Sequence, residues 1–500
     1  MDDCPKTNEV KNFLFKRQNT TDKIKLPLKK YLPTELKKIT IEIGKVTGRW
    51  NPVEILTPDA ENCKEEKAKF FDSFTQHKIY NPQFEYLYAL SIDAMSAKRR
   101  LINIFDKLCS YNAKNPTEHI TVKALRKKLR DDFATCEMLL GIQTRDQHRI
   151  ATAIDFKYED LNPELYYTSL YDYHYKTKKL STSDEKGLLT DDEKKFLKSI
   201  TCGPEEIKKA FEWALKQYGL LRTDTNKIGY TVIIDDKATS IDVRDKSVKG
   251  PTIFIPRSRK AKADKLLELI THEIEGHVRQ SMNGQELFTF GGGILKIDDE
   301  MLYEGLAKRY DERFRRKFFG YKKFTPHPYF TFAIQKVQRG VSFYNIFEEQ
   351  LDMRLHVKLK EEPDHSVPSL SEIDQKLLTR CMENSWNTTL RVIRGHTNTR
   401  NPKGFTMTKD IAYLKGWLVD KDLCASDLSF VNEAAIMDTT TLQLIAECDL
   451  EEKMLPYPFK DITVKYWETI LKPLMNKNRD SITNDINYPQ LQIITDSRAN

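Results

Sequence analysis

Two histidines five residues apart are the feature that most constrains this chain. His272 and His277 enclose Glu273 in the segment HEIEGH, which follows a strongly helical run. Neutral imidazole is a good zinc ligand, and a carboxylate beside two such ligands can serve as general base for a metal-activated water. In the commoner pattern the two histidines lie four residues apart and share one helix face. The segment therefore predicts a metal site of less usual geometry.

A spacing of five cannot be accommodated by a regular helix. It rotates the second imidazole about 140° around the helix from the first, whereas a spacing of four gives about 40°. The helix must therefore widen by one residue, as a π-bulge does, or break at this point. Gly276, directly before His277, is the residue that best tolerates such a distortion.

A second helix is predicted to supply a third ligand. Asn283-Gly284 is a turn signal, residues 291–293 are all glycine, and the segment MLYEGLA then begins at Met301. Single-metal protease sites commonly take two histidines, one carboxylate from a later helix, and water. Glu304 is the natural third ligand. The alternative is a solvated glutamate, which is common in the first turn of a helix.

Composition indicates a soluble, helix-rich globular protein. The 500 residues are 39% hydrophobic and 31% charged, with few glycines and prolines. That length allows up to about three or four domains, or one large catalytic unit. We find no apolar run of about 18 residues and no secretory signal, so we expect no membrane span. The eight cysteines form no C-x-x-C pair. They favour neither a zinc site nor a disulfide framework, and a cytoplasmic location fits best.

The net charge of +8 leaves two interpretations open. The chain is either mildly basic with no specific consequence, or it is steered towards an acidic partner. A basic cluster at 257–262, just before the helix that carries HEIEGH, favours the second interpretation. Further basic runs at 313–317 and 322–323 are more typical of solvated helix faces. No nucleic-acid-binding signature is present, so we expect no nucleic-acid partner.

The pattern along the chain predicts four regions. They are a flexible tail, a helical N-terminal lobe, a catalytic domain and a C-terminal extension, at 1–25, 26–200, 201–475 and 476–500. Within the catalytic domain, β-branched residues predict strands at Tyr230–Ile234 and Thr252–Pro256. The proline suggests that the second strand lies at a sheet edge. The metal helix is predicted over Ala261–Met282.

The motif residues resemble a known family. The segment HEIEGH, then Asn283-Gly284, then EGLA at 304–307 is similar to the metallopeptidase family that includes the microtubule-associated tyrosine carboxypeptidases. Weaker similarities lie at 81–84, 394–395 and 409–416, so the resemblance spans roughly 50 to 450. Bacterial relatives carry QEGLA, whereas Tyr303 replaces that glutamine here. This change lies beside the expected ligand and is expected to alter its surroundings rather than remove metal binding.

The resemblance implies a fold and a reaction. The fold would be α+β and predominantly helical, with a zincin-like metallopeptidase core and a small sheet. His272, His277 and Glu304 would bind Zn²⁺, and Glu273 would be the general base. Eukaryotic members remove the C-terminal tyrosine of α-tubulin, which implies a protein C-terminal tail, tubulin or microtubules as the partner.

Peptide hydrolysis at a C-terminus needs further groups. Developing charge on the carbonyl oxygen needs a donor besides the metal, and Tyr413 is a candidate. The terminal carboxylate needs a cation, and arginine is suited by its planar fork. Arg394 is our first choice for this role, with Lys415 and Arg391 next. Packing of the tyrosine and solvation of the basic residues are the alternatives.

Two other functions stay open at this stage. The chain could be a zinc endopeptidase or another zinc hydrolase, which would need an open groove and no carboxylate anchor. It could instead be an inactive protease-like module that binds an acidic partner such as the microtubule surface. The intact set of His272, Glu273, His277 and Glu304 argues against the inactive module.

Overall fold

The computed structural model describes residues 33–47, 55–158, 161, 163–177, 187–226, 229–236, 238, 240–244, 250–282, 300–320, 328–359, 373–425 and 460–481. Helices dominate these residues, and the strands are few and short. The prediction of an α+β, predominantly helical chain is therefore confirmed. Of the helices in these ranges, none combines the length and the apolar composition needed to cross a lipid bilayer. The predicted tail at 1–25 lies outside the described residues.

The chain divides into two compact units, each assembled from separate stretches of sequence. The helical unit takes the described residues of 32–181 and 325–416, and the mixed unit takes those of 182–324 and 417–500. The sequence predicted one continuous catalytic domain over 201–475. The structure divides the chain differently, because helices from 325–416 bury their aromatic side chains against helices near the N-terminus.

The helical unit is held together by a cluster of aromatic rings. The ring of Phe70 lies 5.2 Å from that of Phe343, 4.7 Å from that of Phe347 and 5.3 Å from that of Trp386, centroid to centroid. Such tilted and edge-on contacts are the arrangements that aromatic rings prefer. The helices of this unit are Thr34–Thr47 (α1), Ala60–Thr75 (α2), Leu87–Leu90 (α3), Ala94–Cys109 (α4), Pro116–Thr144 (α5), Gln147–Lys157 (α6), Pro163–Thr177 (α7), Pro328–Gln338, Phe343–Leu359, Gln375–Val392 and the start of Ile411–Ala425.

The mixed unit contains every strand in the described ranges. Its elements up to residue 269 are Asp191–Ser199 (α8), Thr201–Cys202 (β1), Pro204–Tyr218 (α9), Thr231–Asp235 (β2), Asp242–Arg244 (β3), Thr252–Pro256 (β4), Ala261–Lys262 (β5) and Ala263–Leu269 (α10). A π-helical segment, Ile270–Val278, follows α10 directly. The later elements are Glu300–Phe319 (α11), Ile462–Tyr466, the π-helical Trp467–Leu471, and Lys472–Ser481.

Local sequence signals set the helix ends in this unit. Thr190 and Glu193 form a reciprocal capping box at the start of α8. Helix α9 ends at Gly219, which adopts the left-handed conformation with φ of 68°. Glycine is favoured there because it has no Cβ to clash with the following carbonyl. Both ends agree with the signals in the sequence.

The strands form two small sheets. In the larger one, β4 lies between β2, which is parallel to it, and β3, which is antiparallel. The prediction that β4 is an edge strand is therefore wrong. Pro256 is tolerated because it is the last residue of the strand, opposite Asp235, where the ladder ends. In the smaller sheet, β1 pairs with β5. Ala261 and Lys262 therefore belong to a strand, and the metal helix begins two residues later than predicted.

The helix that leads into the π segment is anchored in the core of the mixed unit. Leu266, Leu267, Ile270, Ile274 and Val278 are all fully buried. They belong to one hydrophobic cluster with side chains of α8, α9, α11 and the segment from Ile462 onward. Burial of side chains of this size contributes about 1.5–3 kcal/mol each. This anchoring fixes one side of the helix and leaves the other for the histidines.

A buried carboxylate ties the end of the described chain to the metal helix. Glu275 is fully buried, and its Oε1 accepts a hydrogen bond of 2.7 Å from the backbone N–H of Ile462. The hydroxyl of Tyr218 donates to the other oxygen, Oε2. Burial raises the pKa of Glu275, and burial also raises the pKa of Tyr218, beside this carboxyl. Glu275 thus provides a partner for the first free N–H of the helix at Ile462.

Replacing Glu275 by alanine is expected to destabilise the mixed unit. The change leaves the Ile462 N–H and the Tyr218 hydroxyl buried without an acceptor, so the free energy of unfolding should fall by about 2–4 kcal/mol. Urea unfolding followed by tryptophan fluorescence measures this. Glu468→Ala, at an exposed position of the same terminal segment, is the control and should change stability by less than about 0.5 kcal/mol. Equal effects of the two changes would contradict the anchoring role.

Candidate metal centre

The π segment brings the two histidines onto one side of the helix. Residues Ile270–Val278 form this wider helix, which contains both His272 and His277. The two imidazole rings meet edge to face, with centroids 4.7 Å apart. Of the two possibilities predicted from the spacing, the structure shows the widened helix and not a break.

Gly276 serves a second purpose that the spacing alone did not indicate. A Cβ placed on Gly276 would lie 3.1 Å from Cβ of Ala307 on α11, which is closer than ordinary van der Waals contact. The π segment and α11 therefore approach each other where both residues are small. This close approach brings the first turns of α11, including Glu304, next to the histidines.

Glu304 completes a group of three ligand atoms. Its Oε2 lies 3.8 Å from Nε2 of His272 and 3.6 Å from Nε2 of His277. The three ligand atoms all lie within 4.8 Å of one another. In a tetrahedral site with bonds of about 2.1 Å, ligand atoms are about 3.4 Å apart. Two imidazole nitrogens and one carboxylate oxygen at these distances fit a divalent cation such as zinc.

A buried carboxylate supports His272 from behind. Oδ2 of Asp311, on α11, accepts a hydrogen bond of 3.1 Å from Nδ1 of His272. The same oxygen accepts a bond of 3.0 Å from Nζ of Lys308. Because a carboxylate can only accept, the proton of neutral His272 sits on Nδ1 and the lone pair of Nε2 faces Glu304. This is the tautomer that a metal ligand needs.

Asp311, Lys308 and His272 shift one another's pKa values through their contacts. Burial raises the pKa of Asp311, but Lys308 and His272 outweigh it and hold the pKa well below its usual range. Burial also lowers the pKa of His272 and of Lys308, and Asp311 outweighs it in both cases, so both pKa values are raised. Asp311 therefore stays ionised and can orient His272.

His277 is held by a different kind of contact. Its Nδ1 is buried and makes no hydrogen bond to any residue that the structure describes. The ring of Tyr303 instead stacks on the imidazole, with centroids 4.0 Å apart and planes inclined by 20°. Tyr303 directly precedes Glu304 on α11. The same helical turn therefore places the Glu304 carboxylate and the ring that stacks on His277.

Glu273 lies beside the three ligands. Its side chain is 8% exposed, and burial raises the pKa of its carboxyl, while the two histidines act in the opposite direction. It also interacts electrostatically with Glu304. A raised pKa makes this carboxylate a stronger proton acceptor than an exposed glutamate, which suits a general base.

The three residues predicted to bind substrate and Tyr413, the predicted donor to the carbonyl oxygen, all lie in the helical unit. Arg391 donates to Asp410 through Nε at 3.1 Å and through Nη2, so its guanidinium already has a carboxylate partner. Tyr413 interacts with Arg391. Burial lowers the pKa of Arg394, whose Nε is buried and makes no hydrogen bond. Burial also lowers the pKa of Lys415. The substrate-binding role of these residues stays a prediction.

The basic cluster before the metal helix is partly available to a partner. Residues 257–260 are all exposed at the end of β4. Arg257 pairs with Asp236 on the surface. In the run at 313–317, Arg315 binds both oxygens of Glu268. That run therefore serves internal contacts in part, and the run at 322–323 lies outside the described residues, as do the glycines at 291–293.

Sequence reasoning missed Asp311, Lys308 and the contact made by Tyr303. Lys308 and Asp311 follow Glu304 by four and seven residues, which places them on the same face of α11. That periodicity was a usable signal for Asp311. No comparable signal could have shown that Tyr303 stacks on His277, because the contact depends on how two helices cross.

Comparison with models of known protein families finds no match to this chain, and comparison with curated protein sequences finds none either. The resemblance described above therefore stays a prediction from the motif residues.

Asp311→Asn is expected to weaken zinc binding by about 10- to 100-fold, the usual cost of losing the partner of a ligand histidine. Asparagine keeps the shape but not the charge that holds the His272 ring. Competition with a chelating dye measures the affinity. Asp264→Asn, a half-buried position on α10, is the control and should bind zinc like the original chain. Similar affinity in the Asp311 variant would remove Asp311 from this role.

Gly276→Ala is expected to weaken zinc binding about tenfold or more, because the new methyl group must push α11 and Glu304 away. Adding Ala307→Gly removes the opposing Cβ and should restore a large part of the affinity. The same competition assay compares the single and double variants. Unchanged affinity in the single variant would show that helix spacing does not control the site.

Proposed function

We propose that this chain is a zinc-dependent carboxypeptidase that removes a C-terminal residue from a protein tail. The proposal extends the resemblance to the microtubule-associated tyrosine carboxypeptidases and takes the mixed unit as a zincin-like core. One observation carries it: His272, His277 and Glu304 bring three ligand atoms within 4.8 Å of one another. Glu273 lies beside them with a raised pKa, as a general base requires.

Each step of the proposed hydrolysis is assigned to particular residues of this chain. Zinc in such a site polarises a carbonyl group and lowers the pKa of a water molecule. The Glu273 carboxylate accepts a proton from the attacking water and passes it to the nitrogen of the leaving amine. Asp311 keeps His272 in the ligating tautomer throughout. The roles of Tyr413 as donor to the carbonyl oxygen and of Arg394 as ligand of the terminal carboxylate stay predictions from the sequence, since both residues lie in the helical unit.

Two features of the mixed unit favour a peptide substrate with acidic character. Strand β3 forms an edge of the larger sheet and contacts the π segment, so an extended peptide can pair with it beside the ligands. The exposed basic residues at 257–260 attract negative charge. A tubulin-like acidic tail is the substrate that combines both features.

Two alternatives have different requirements. An endopeptidase or other zinc hydrolase would use the same ligands and base but would not need a free C-terminus on its substrate. A non-catalytic module that binds an acidic surface would need only the basic residues. The second alternative gives no reason for Glu273 to lie with its pKa raised beside two imidazoles and a carboxylate.

Glu273→Gln should keep zinc and lose turnover by about 10²- to 10⁴-fold, because glutamine cannot accept the proton of water. Metal analysis and peptide turnover on the same sample measure both effects. Glu212→Gln is the control, since burial also raises the pKa of this half-buried acid on α9. Full turnover by the Glu273 variant would exclude it as the base.

Mass spectrometry of tubulin and of synthetic acidic peptides ending in tyrosine tests the reaction class. Loss of one C-terminal residue, blocked by amidation of the peptide, is expected for a carboxypeptidase. Internal cleavage that is unaffected by amidation would indicate an endopeptidase. No change in any peptide by the zinc-loaded protein, together with binding to microtubules, would favour the non-catalytic module.

A further inference from the structure

The two ligand histidines are supported unequally. Nδ1 of His272 donates to Asp311 at 3.1 Å, which fixes both the tautomer and the orientation of that ring. Nδ1 of His277 is buried and, within the described part of the chain, makes no hydrogen bond. A ligand histidine normally donates its second N–H to a carboxylate, carbonyl or water, and this bond sets the ring plane. Among the described residues, a ring contact and not a hydrogen bond to Nδ1 holds the His277 imidazole.

The stacked ring of Tyr303 is placed to do this. Its centroid lies 4.0 Å from that of His277, and the two planes are inclined by only 20°. His272 closes a second side of the same imidazole, edge to face. Rotation of the His277 side chain about its Cα–Cβ or Cβ–Cγ bond would break the stack. The tyrosine therefore limits the directions in which Nε2 can point.

Stacking also favours the metal-bound form of His277. Coordination to a divalent cation draws electron density from an imidazole, so the ring takes on positive character. The face of a tyrosine ring carries negative potential and attracts such a group. The same face keeps water from one side of the imidazole. The contact should therefore add to metal affinity as well as to ring orientation.

We propose that Tyr303 is a positioning residue for His277, and that its aromatic ring replaces the hydrogen bond that His277 Nδ1 lacks. This inference rests on the proposed metal site. It gives a physical role to the position at which the chain departs from the QEGLA motif. The ring acts through His277, and the hydroxyl group is not needed for this effect.

Three substitutions separate the ring from the hydroxyl. Tyr303→Phe keeps the stack and should bind zinc within about threefold of the original chain. Tyr303→Leu and Tyr303→Gln lose the stack and should bind about tenfold or more weakly, on the scale of other contacts that support a ligand. Phe319→Leu removes a half-buried aromatic ring elsewhere on α11 and should leave affinity unchanged.

Zinc affinity is measured by chelator competition, and the visible spectrum of the cobalt-loaded protein reports the geometry at the ligands. We expect the Leu and Gln variants to change the cobalt spectrum and the Phe variant to keep it. Circular dichroism of the metal-free proteins shows which variants fold. If the Leu variant does not fold, the Gln variant is used for the comparison. Original affinity and spectrum in a folded Leu or Gln variant would overturn the inference, as would an equal loss in the Phe variant.

Failure of this inference can be told apart from failure of the proposed function. An original chain that binds no zinc or cobalt contradicts the metal site itself, and the inference falls with it. Zinc binding that does not respond to Tyr303 contradicts the positioning role alone. Zinc binding that depends on the Tyr303 ring, without cleavage of any peptide, supports the positioning role and contradicts the peptidase.

Discussion

One extra residue in a helical turn determines the geometry of the candidate metal site. In a regular helix His272 and His277 would point in directions about 140° apart, so the turn must be wider. A π-helical turn is rare and has to be stabilised by its surroundings. Here Ile270, Ile274 and Val278 bury the opposite side of the segment completely, and Gly276 packs closely on α11. Hydrophobic burial thus compensates for the unusual turn.

Helix α11 then acts as the second half of the site. Glu304, Lys308 and Asp311 follow one another at intervals of four and three residues, which places them along one face. Glu304 faces the ligand nitrogens, and Asp311 holds His272 from behind. Lys308 supplies the charge that lets Asp311 remain ionised in a buried position. Without such a partner, burial of a second carboxylate near Glu304 would be strongly unfavourable.

Features fixed by local chemistry could be predicted from the sequence, and features fixed by packing could not. The helix widening at His272 and the place of Glu304 beside the two histidines follow from spacing, and the end of α9 at Gly219 follows from backbone freedom. The central position of β4 depends on β3, a strand too short to recognise. The division into two units depends on aromatic contacts between distant segments, such as Phe70 with Phe347.

The proposed chemistry and the proposed choice of substrate would depend on interactions of different range. The ligand contacts in the mixed unit are shorter than 4 Å and depend on how the π segment meets α11. The exposed charges at 257–260 act over about 8 Å at physiological ionic strength, so they would influence how often the proposed acidic tail arrives. In the proposed peptidase, changes to these surface charges would alter substrate preference without disturbing a bound metal, because the described contacts of His272, His277 and Glu304 involve none of them.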